Sequence, residues 1–200
     1  LLFLNTLHIF NDGYFGSIIV MLPFITAALN LDLFQAGILG SLTGIIGILL
    51  AYQAGKASVK YGGMKILLFA MGLYAVSFIL LSTVINFYTT FFVFLLAALG
   101  FGVFHPIGFG LVSKFSEKGK RGSQIGTFTA LGDVGKIGLT ALLTFLVAFI
   151  GWRNTSAVYG ILALCFLFIF ALIHKKNPHI NVLEKSKDLK IFEFLKNKLF

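Results

Sequence analysis

Charged and polar residues interrupt stretches that are otherwise apolar. Asp133 and Lys136 lie three residues apart in one such stretch, a spacing that places both on the same face of a helix. Asp12 lies in the first apolar stretch, one turn after His8 and next to Asn11. A charge near the centre of a bilayer costs about 2.5–3.5 kcal/mol on insertion scales, so such residues usually pair and often serve a function. These residue types predict the binding and release of protons.

A third apolar stretch carries His105 directly before Pro106. With a helical rise of about 1.5 Å per residue, Asp12, Asp133 and His105 each lie roughly eight to ten residues from the predicted cytoplasmic end of their stretch. We therefore expect these groups at one depth, lining a path for substrate and protons. Two structural alternatives stay open. Asp133 and Lys136 could form only an ion pair, and His105 could only hydrogen-bond to a neighbouring helix.

The composition requires lipid as the solvent of this chain. It is 58% hydrophobic and only 12% charged, whereas a soluble domain is about 25% charged. The apolar runs reach the roughly 20 residues that cross a bilayer as a helix, and the short alternating segments of a β-barrel do not occur. The class is therefore an all-α membrane protein. The lipid bilayer is therefore a partner of the chain; we expect no nucleic acid, no cofactor and no metal.

Six transmembrane helices are predicted in the 200 residues. They form a six-helix domain over residues 1–176, followed by a cytoplasmic amphipathic linker over residues 177–200, where Leu189, Phe192, Leu195 and Leu199 recur at helical spacing. The predicted spans are about 3–29, 33–54, 64–84, 87–112, 124–150 and 154–174.

The net charge of +9 sets the orientation and does not indicate nucleic acid as a partner. Basic residues concentrate after spans two, four and six, while the other connections are short and nearly free of them. The positive-inside rule therefore predicts that both termini are cytoplasmic.

Glycine and proline positions suggest how the spans pack. Gly40 with Gly44 and Gly122 with Gly126 form G-x-x-x-G pairs, which favour close helix contacts in lipid. Pro23 and Pro106 fall at matching places in spans one and four. Because those helices run in opposite directions, the match suggests a three-plus-three inverted repeat.

At its polar motifs the chain resembles the major facilitator superfamily, and within it the fosmidomycin-resistance-like branch. The motifs are His8-Ile-Phe-Asn11-Asp12-Gly13 with Pro23, Phe104-His105-Pro106, and Gly132-Asp133-Val-Gly135-Lys136. The resemblance implies the N-terminal half of a twelve-helix fold and a secondary transporter in the cell membrane. It also implies proton-coupled export of a small organic compound by alternating access, and therefore an antiporter and not an enzyme. The loop after span two departs from the family pattern, since Val59 stands where the family has an acid.

Two other classes remain as alternatives. His8, Asp12 and His105 could bind a metal in an intramembrane enzyme, or the chain could be a membrane scaffold that transports nothing. Since the chain starts without Met and stops in an apolar upturn at Phe200, we expect that both ends are cut and that another span follows. The resemblance implies a second six-helix half, in the same chain or in another.

Overall fold

The computed structural model describes residues 1–176, in which every regular element is an α-helix. The helices are α1 (Leu2–Leu29), α2 (Leu33–Tyr61), α3 (Gly63–Leu81), α4 (Phe87–Phe115) and α5 (Arg121–Lys176). Each is long and apolar enough to cross a bilayer. The predicted all-α membrane fold is confirmed for these residues, whereas the proposed linker over residues 177–200 lies outside them.

Helix α5 is broken at Gly151. The backbone there has φ 75° and ψ 161°, which is not helical. We call residues 121–150 the first arm and residues 152–176 the second arm. The two arms correspond to the fifth and sixth predicted spans. Next to the break, Arg153 donates from Nη1 to the carbonyl oxygen of Ser82 at 2.9 Å and stacks on Trp152 at 4.3 Å.

Short polar turns determine where α2 and α4 begin. Asp32 accepts from the backbone N–H of Gln35 at 2.8 Å, and the Gln35 side chain accepts in return from Asp32 N–H at 3.1 Å. Asn86 and Thr89 form the corresponding pair at the start of α4. These reciprocal caps satisfy N–H groups that a helix leaves free at its start.

The helices pack around a buried aromatic centre. Helix α1 packs mainly against α5, α2 packs against α4, and α3 contacts both α4 and α5. Tyr14, Tyr74 and Tyr159 are almost fully buried in the interior. Tyr14 donates to the carbonyl oxygen of Tyr159, and Tyr159 donates to that of Leu139. Large apolar side chains such as Leu33 and Ile48 lie exposed on the outside of the helix bundle.

The close helix contacts form at glycines other than the predicted pairs. A Cβ built on Gly44, Gly122 or Gly126 meets nothing within 4 Å among residues 1–176, and one on Gly40 makes only an ordinary contact with Leu22. The predicted close packing at Gly44, Gly122 and Gly126 is therefore not found within the described helices. Close approach requires a glycine whose missing side chain faces a neighbouring helix, and these three face outward.

The two helical prolines do not end their helices. Both α1 and α4 continue through Pro23 and Pro106. The inverted repeat that they suggest stays a prediction.

Candidate functional site

The site forms where α1 crosses the first arm of α5. At the crossing, Gly135 lies against the backbone of Ile9, so closely that a Cβ on Gly135 would overlap the Ile9 carbonyl. From the other side, a Cβ on Gly13 would lie 2.8 Å from the Gly135 carbonyl oxygen. One turn earlier on α5, a Cβ on Gly132 would lie 2.5 Å from His8 Cε1 and 2.9 Å from Asp12 Oδ2. Glycine at these positions therefore leaves the space that the polar side chains of α1 occupy.

Three ionisable side chains converge in that space, and we call His8, Asp12 and His105 the triad. His8 Nε2 lies 3.2 Å from Asp12 Oδ1, and His105 Nε2 lies 3.3 Å from the same oxygen. The two Nε2 atoms are 3.4 Å apart. The sequence predicts that groups on separate helices meet at one depth, and the structure brings α1 and α4 together in this way.

His8 is held in one orientation by α4 and α5. Its ring is stacked on that of Phe128, with the centroids 3.9 Å apart. The Phe104 ring is nearly parallel to the imidazole, with a centroid distance of 5.8 Å. His8 Nδ1 lies 2.7 Å from the carbonyl oxygen of Phe128. Because a carbonyl oxygen can only accept, Nδ1 carries a hydrogen in this contact. A neutral His8 therefore presents a lone pair from Nε2 towards Asp12 and His105.

The hydrogen bonds of the triad require one more proton than its neutral histidines supply. His8 Nε2 and an ionised Asp12 Oδ1 are both acceptors, yet they are in contact. His105 can donate from Nε2 to one of them but not to both. A single additional proton, shared among the three side chains, removes the remaining repulsion. The geometry of the triad can therefore accommodate one added proton.

Asn11 and Lys136 complete the surroundings of Asp12. Asn11 is fully buried and donates from Nδ2 to Asp12 Oδ1 at 2.9 Å. Lys136 Nζ lies 3.8 Å from Asp12 Oδ2 and 3.3 Å from Asp133 Oδ1. The sequence pairs Lys136 with Asp133 by spacing alone. In the structure Lys136 bridges both acids, so the predicted ion pair and the triad form one network.

Exposure differs sharply across this network. The Asp12 side chain is 8% exposed, whereas those of Lys136 and Asp133 are 45% and 62% exposed. The His105 side chain is 27% exposed, which lies between the exposure of Asp12 and that of Lys136. The network therefore runs from a buried acid at the triad to an open acid on α5.

The aromatic residues Phe104 and Phe128 orient His8, and sequence reasoning missed this role for both. The chain has 24 phenylalanines, and one that stacks on a buried imidazole looks the same in the sequence as one that faces lipid. The one available signal for Phe104 was its place next to His105 before a proline.

The triad has the spacing that a metal ion would need. One ligand atom from each of the three residues lies within 4.8 Å of the others. The Lys136 ammonium near Asp12, however, already supplies positive charge to that carboxylate, which favours a proton over a divalent cation. This arrangement can bind, hold and exchange protons.

The whole chain matches a known family. A sequence model of the Major Facilitator Superfamily matches residues 1–200. No curated protein matches the chain.

Two solved transporters have a similar fold. One is the xylose transporter XylE from E. coli in an inward-open conformation, with a TM-score of 0.69 and 17% identity over 98% of this chain and 54% of that one. The other is the peptide transporter POT in complex with alafosfalin, with a TM-score of 0.74 and 16% identity over 99% of this chain and 44% of that one. The chain spans about half the length of each. At this identity the similarity shows the fold alone.

Proposed function

Because the chain belongs to the Major Facilitator Superfamily, we propose that it forms the N-terminal half of a secondary transporter that works by alternating access. The chain spans about half of each solved transporter that it matches. A second six-helix half then completes the carrier, in the same polypeptide or as another chain. The two halves rock about a central site, as in carriers built from two such repeats.

The carrier is an antiporter that exports a small organic compound from the cell in exchange for protons. The triad carries this proposal, because His8, Asp12 and His105 meet with one proton too few for their contacts. Its members come from α1 and α4, so a relative movement of these helices changes the spacing of the acceptors. A change in spacing changes the affinity for the shared proton, which links protonation to conformation.

The local sequence motifs favour the fosmidomycin-resistance-like branch of the family as the origin of this chain. The carrier lies in the plasma membrane, or the inner membrane where there are two, with both termini in the cytoplasm. Lys60 in the last turn of α2 and Lys118 and Lys120 in the connection after α4 support this orientation.

The test is a proton-coupled transport assay on the intact protein. Everted membrane vesicles are acidified inside, and small organic compounds are added while a fluorescent dye reports the internal pH. A transported compound should dissipate the pH gradient in wild-type vesicles. The Asp12→Asn variant should lose this response completely, because the amide cannot take part in proton exchange.

The matched control is Glu117→Gln. Glu117 is an exposed acid that pairs with Lys120 outside the site, so its loss should leave the response unchanged. An unchanged response in the Asp12→Asn variant would exclude the triad from proton coupling. If purified wild-type protein bound one zinc ion per chain and the His8→Gln variant bound none, the result would support a metal site in place of the proton site.

A further inference from the structure

One lysine serves two carboxylates in the network. Lys136 Nζ lies 3.3 Å from Asp133 Oδ1 and 3.8 Å from Asp12 Oδ2. Its aliphatic stem packs in the space left by Gly16, where a Cβ would lie 2.7 Å from Lys136 Cγ. With both histidines neutral, the two acids and the single ammonium carry a net charge of minus one. Because the Asp12 side chain is only 8% exposed, an uncompensated charge there is costly, so the network favours one more positive charge.

Two positions can receive that positive charge. One is the triad, which can take a proton. The other is Asp133, whose carboxylate is open to the surroundings. If Lys136 neutralises Asp12, then Asp133 is free to bind a cation; if the triad is protonated, Lys136 neutralises Asp133. The network is neutral when it holds either the proton or the cation. It is negative when it holds neither and positive when it holds both.

A groove lies on the helix face that continues from Asp133. It has a volume of about 660 Å³ and is lined by residues that include Val20, Ile137, Thr140, Thr144 and Phe145. Ile137, Thr140 and Thr144 follow Asp133 at the spacing of one helix face. At a rise of about 1.5 Å per residue the groove begins roughly 6 Å from Asp133. The groove is open to the outside along its length, so it can receive the apolar part of a small organic ligand without enclosing it.

From this juxtaposition we propose that the exported compound is an amphipathic organic monocation. Its positive group pairs with Asp133, and its apolar part lies in the groove between α1 and the first arm of α5. Lys136 is the positioning residue that makes binding of this cation and binding of the proton mutually exclusive. The inference rests on the proposed transport function and names its substrate class and coupling device.

The exchange balances in charge and in protons. A proton enters the triad from the outer aqueous phase, the Lys136 ammonium moves to Asp133, and the organic cation leaves. Return to the inner phase releases the proton, Lys136 returns to Asp12, and another cation binds. The groups that face Asp12 are Asn11 and His8 on α1, Tyr74 on α3, His105 on α4 and Lys136 on α5. One proton therefore exchanges for one cation.

The experiment measures cation binding and proton release together on the intact protein in detergent. The probe is radiolabelled 1-methyl-4-phenylpyridinium, and biphenyl-4-carboxylate is the anion of matched shape. Wild-type protein should bind the cation and release close to one proton for each cation bound in weakly buffered solution. It should not bind the carboxylate.

Two variants separate the roles of Asp133 and Lys136. Asp133→Asn should reduce affinity for the cation at least tenfold, while the protein still takes up its proton. The Lys136→Gln variant should bind the cation at least as tightly as wild type but should release no proton. Without the ammonium that Asp12 and Asp133 share, cation binding at Asp133 no longer affects protonation of the triad. Glu117→Gln should match wild type in both measurements.

Several results would overturn the proposal. One is binding of the carboxylate in preference to the cation. Another is absence of cation binding, which would result if another part of the carrier filled the groove. The third is normal proton release in the Lys136→Gln variant. If vesicles still show proton-coupled transport that depends on Asp12, the proposed function stands and only the substrate class is wrong. If that transport is also absent, both proposals fail.

Discussion

Gly132 is the residue that allows His8 and Asp12 to meet. Any side chain at position 132 would press against both, since a Cβ would lie 2.5 Å from His8 Cε1 and 2.9 Å from Asp12 Oδ2. His8 cannot rotate away, because Phe128 stacks on its ring and accepts its Nδ1 hydrogen bond. The geometry of the triad therefore depends on one missing methyl group.

Gly132→Ala should disrupt proton coupling and lower stability by about 1–3 kcal/mol, the usual cost of overpacking. Coupling is measured by the vesicle assay, and stability by the thermal midpoint in detergent. Gly138→Ala on the same arm is the control, because a Cβ there meets nothing within 4 Å of the described chain. Full coupling in Gly132→Ala would show that the triad does not need this spacing.

The polar residues of the site were predictable from the sequence, but their partners were not. Asp12, Asp133 and Lys136 are conspicuous because charges are rare and costly in lipid. Spacing along one helix predicts the pair of Lys136 with Asp133. The contact of Lys136 with Asp12 depends on how α1 crosses α5, and that crossing depends on glycines whose neighbours the sequence does not reveal.

At the scale of helices, the crossing of α1 and α5 holds the site together. A Cβ on Gly135 would lie 2.7 Å from Ile9 Cα and would also overlap the Ile9 carbonyl. Backbone atoms cannot turn aside as a side chain can, so the two helices would have to separate.

Gly135→Ala should therefore lower the thermal midpoint more than Gly132→Ala, whose neighbours are side-chain atoms. Both variants and Gly138→Ala are compared by fluorescence-detected size exclusion after heating. A midpoint for Gly135→Ala equal to that of Gly138→Ala would mean that the crossing is looser than described.

The break at Gly151 turns the chain between the two arms of α5. With φ 75° and ψ 161°, the residue occupies a backbone region that is essentially restricted to glycine, where other residues cost about 1–3 kcal/mol. Gly151→Ala should therefore reduce stability by about that amount without altering proton coupling in the protein that remains folded. Unchanged stability would show that the chain can turn here through another conformation.

The helices themselves followed from the apolar runs, because lipid requires a backbone that satisfies its own hydrogen bonds. The first four predicted spans each match one helix, and the last two match the arms of α5. Helix α2 extends to Tyr61, past the predicted end at residue 54. The added turns are polar and carry Lys56 and Lys60, which lie over the rings of Tyr52 and Tyr61, so the helix continues past the apolar run on which the predicted end was based.

For the whole molecule, the distribution of basic residues predicts the orientation in the membrane. Single cysteines are introduced by Lys118→Cys in a connection expected inside and Ile85→Cys in one expected outside, in a background where Cys165 and any other cysteine of the intact carrier are replaced by serine. A membrane-impermeant maleimide applied to intact cells should label only the Ile85→Cys variant. Labelling of the Lys118→Cys variant alone would invert the orientation.

The central claim is that His8, Asp12 and His105 share one proton, and ¹⁵N nuclear magnetic resonance of the histidine-labelled intact protein tests it most directly. Nitrogen shifts report the tautomer and the charge of each imidazole, and His8→Gln and His105→Gln assign the signals. The account predicts that neutral His8 carries its hydrogen on Nδ1, that His8 and His105 change together in one titration step, and that Asp12→Asn abolishes this joint step. Independent titration of the two rings, or a hydrogen on Nε2 of neutral His8, would contradict it.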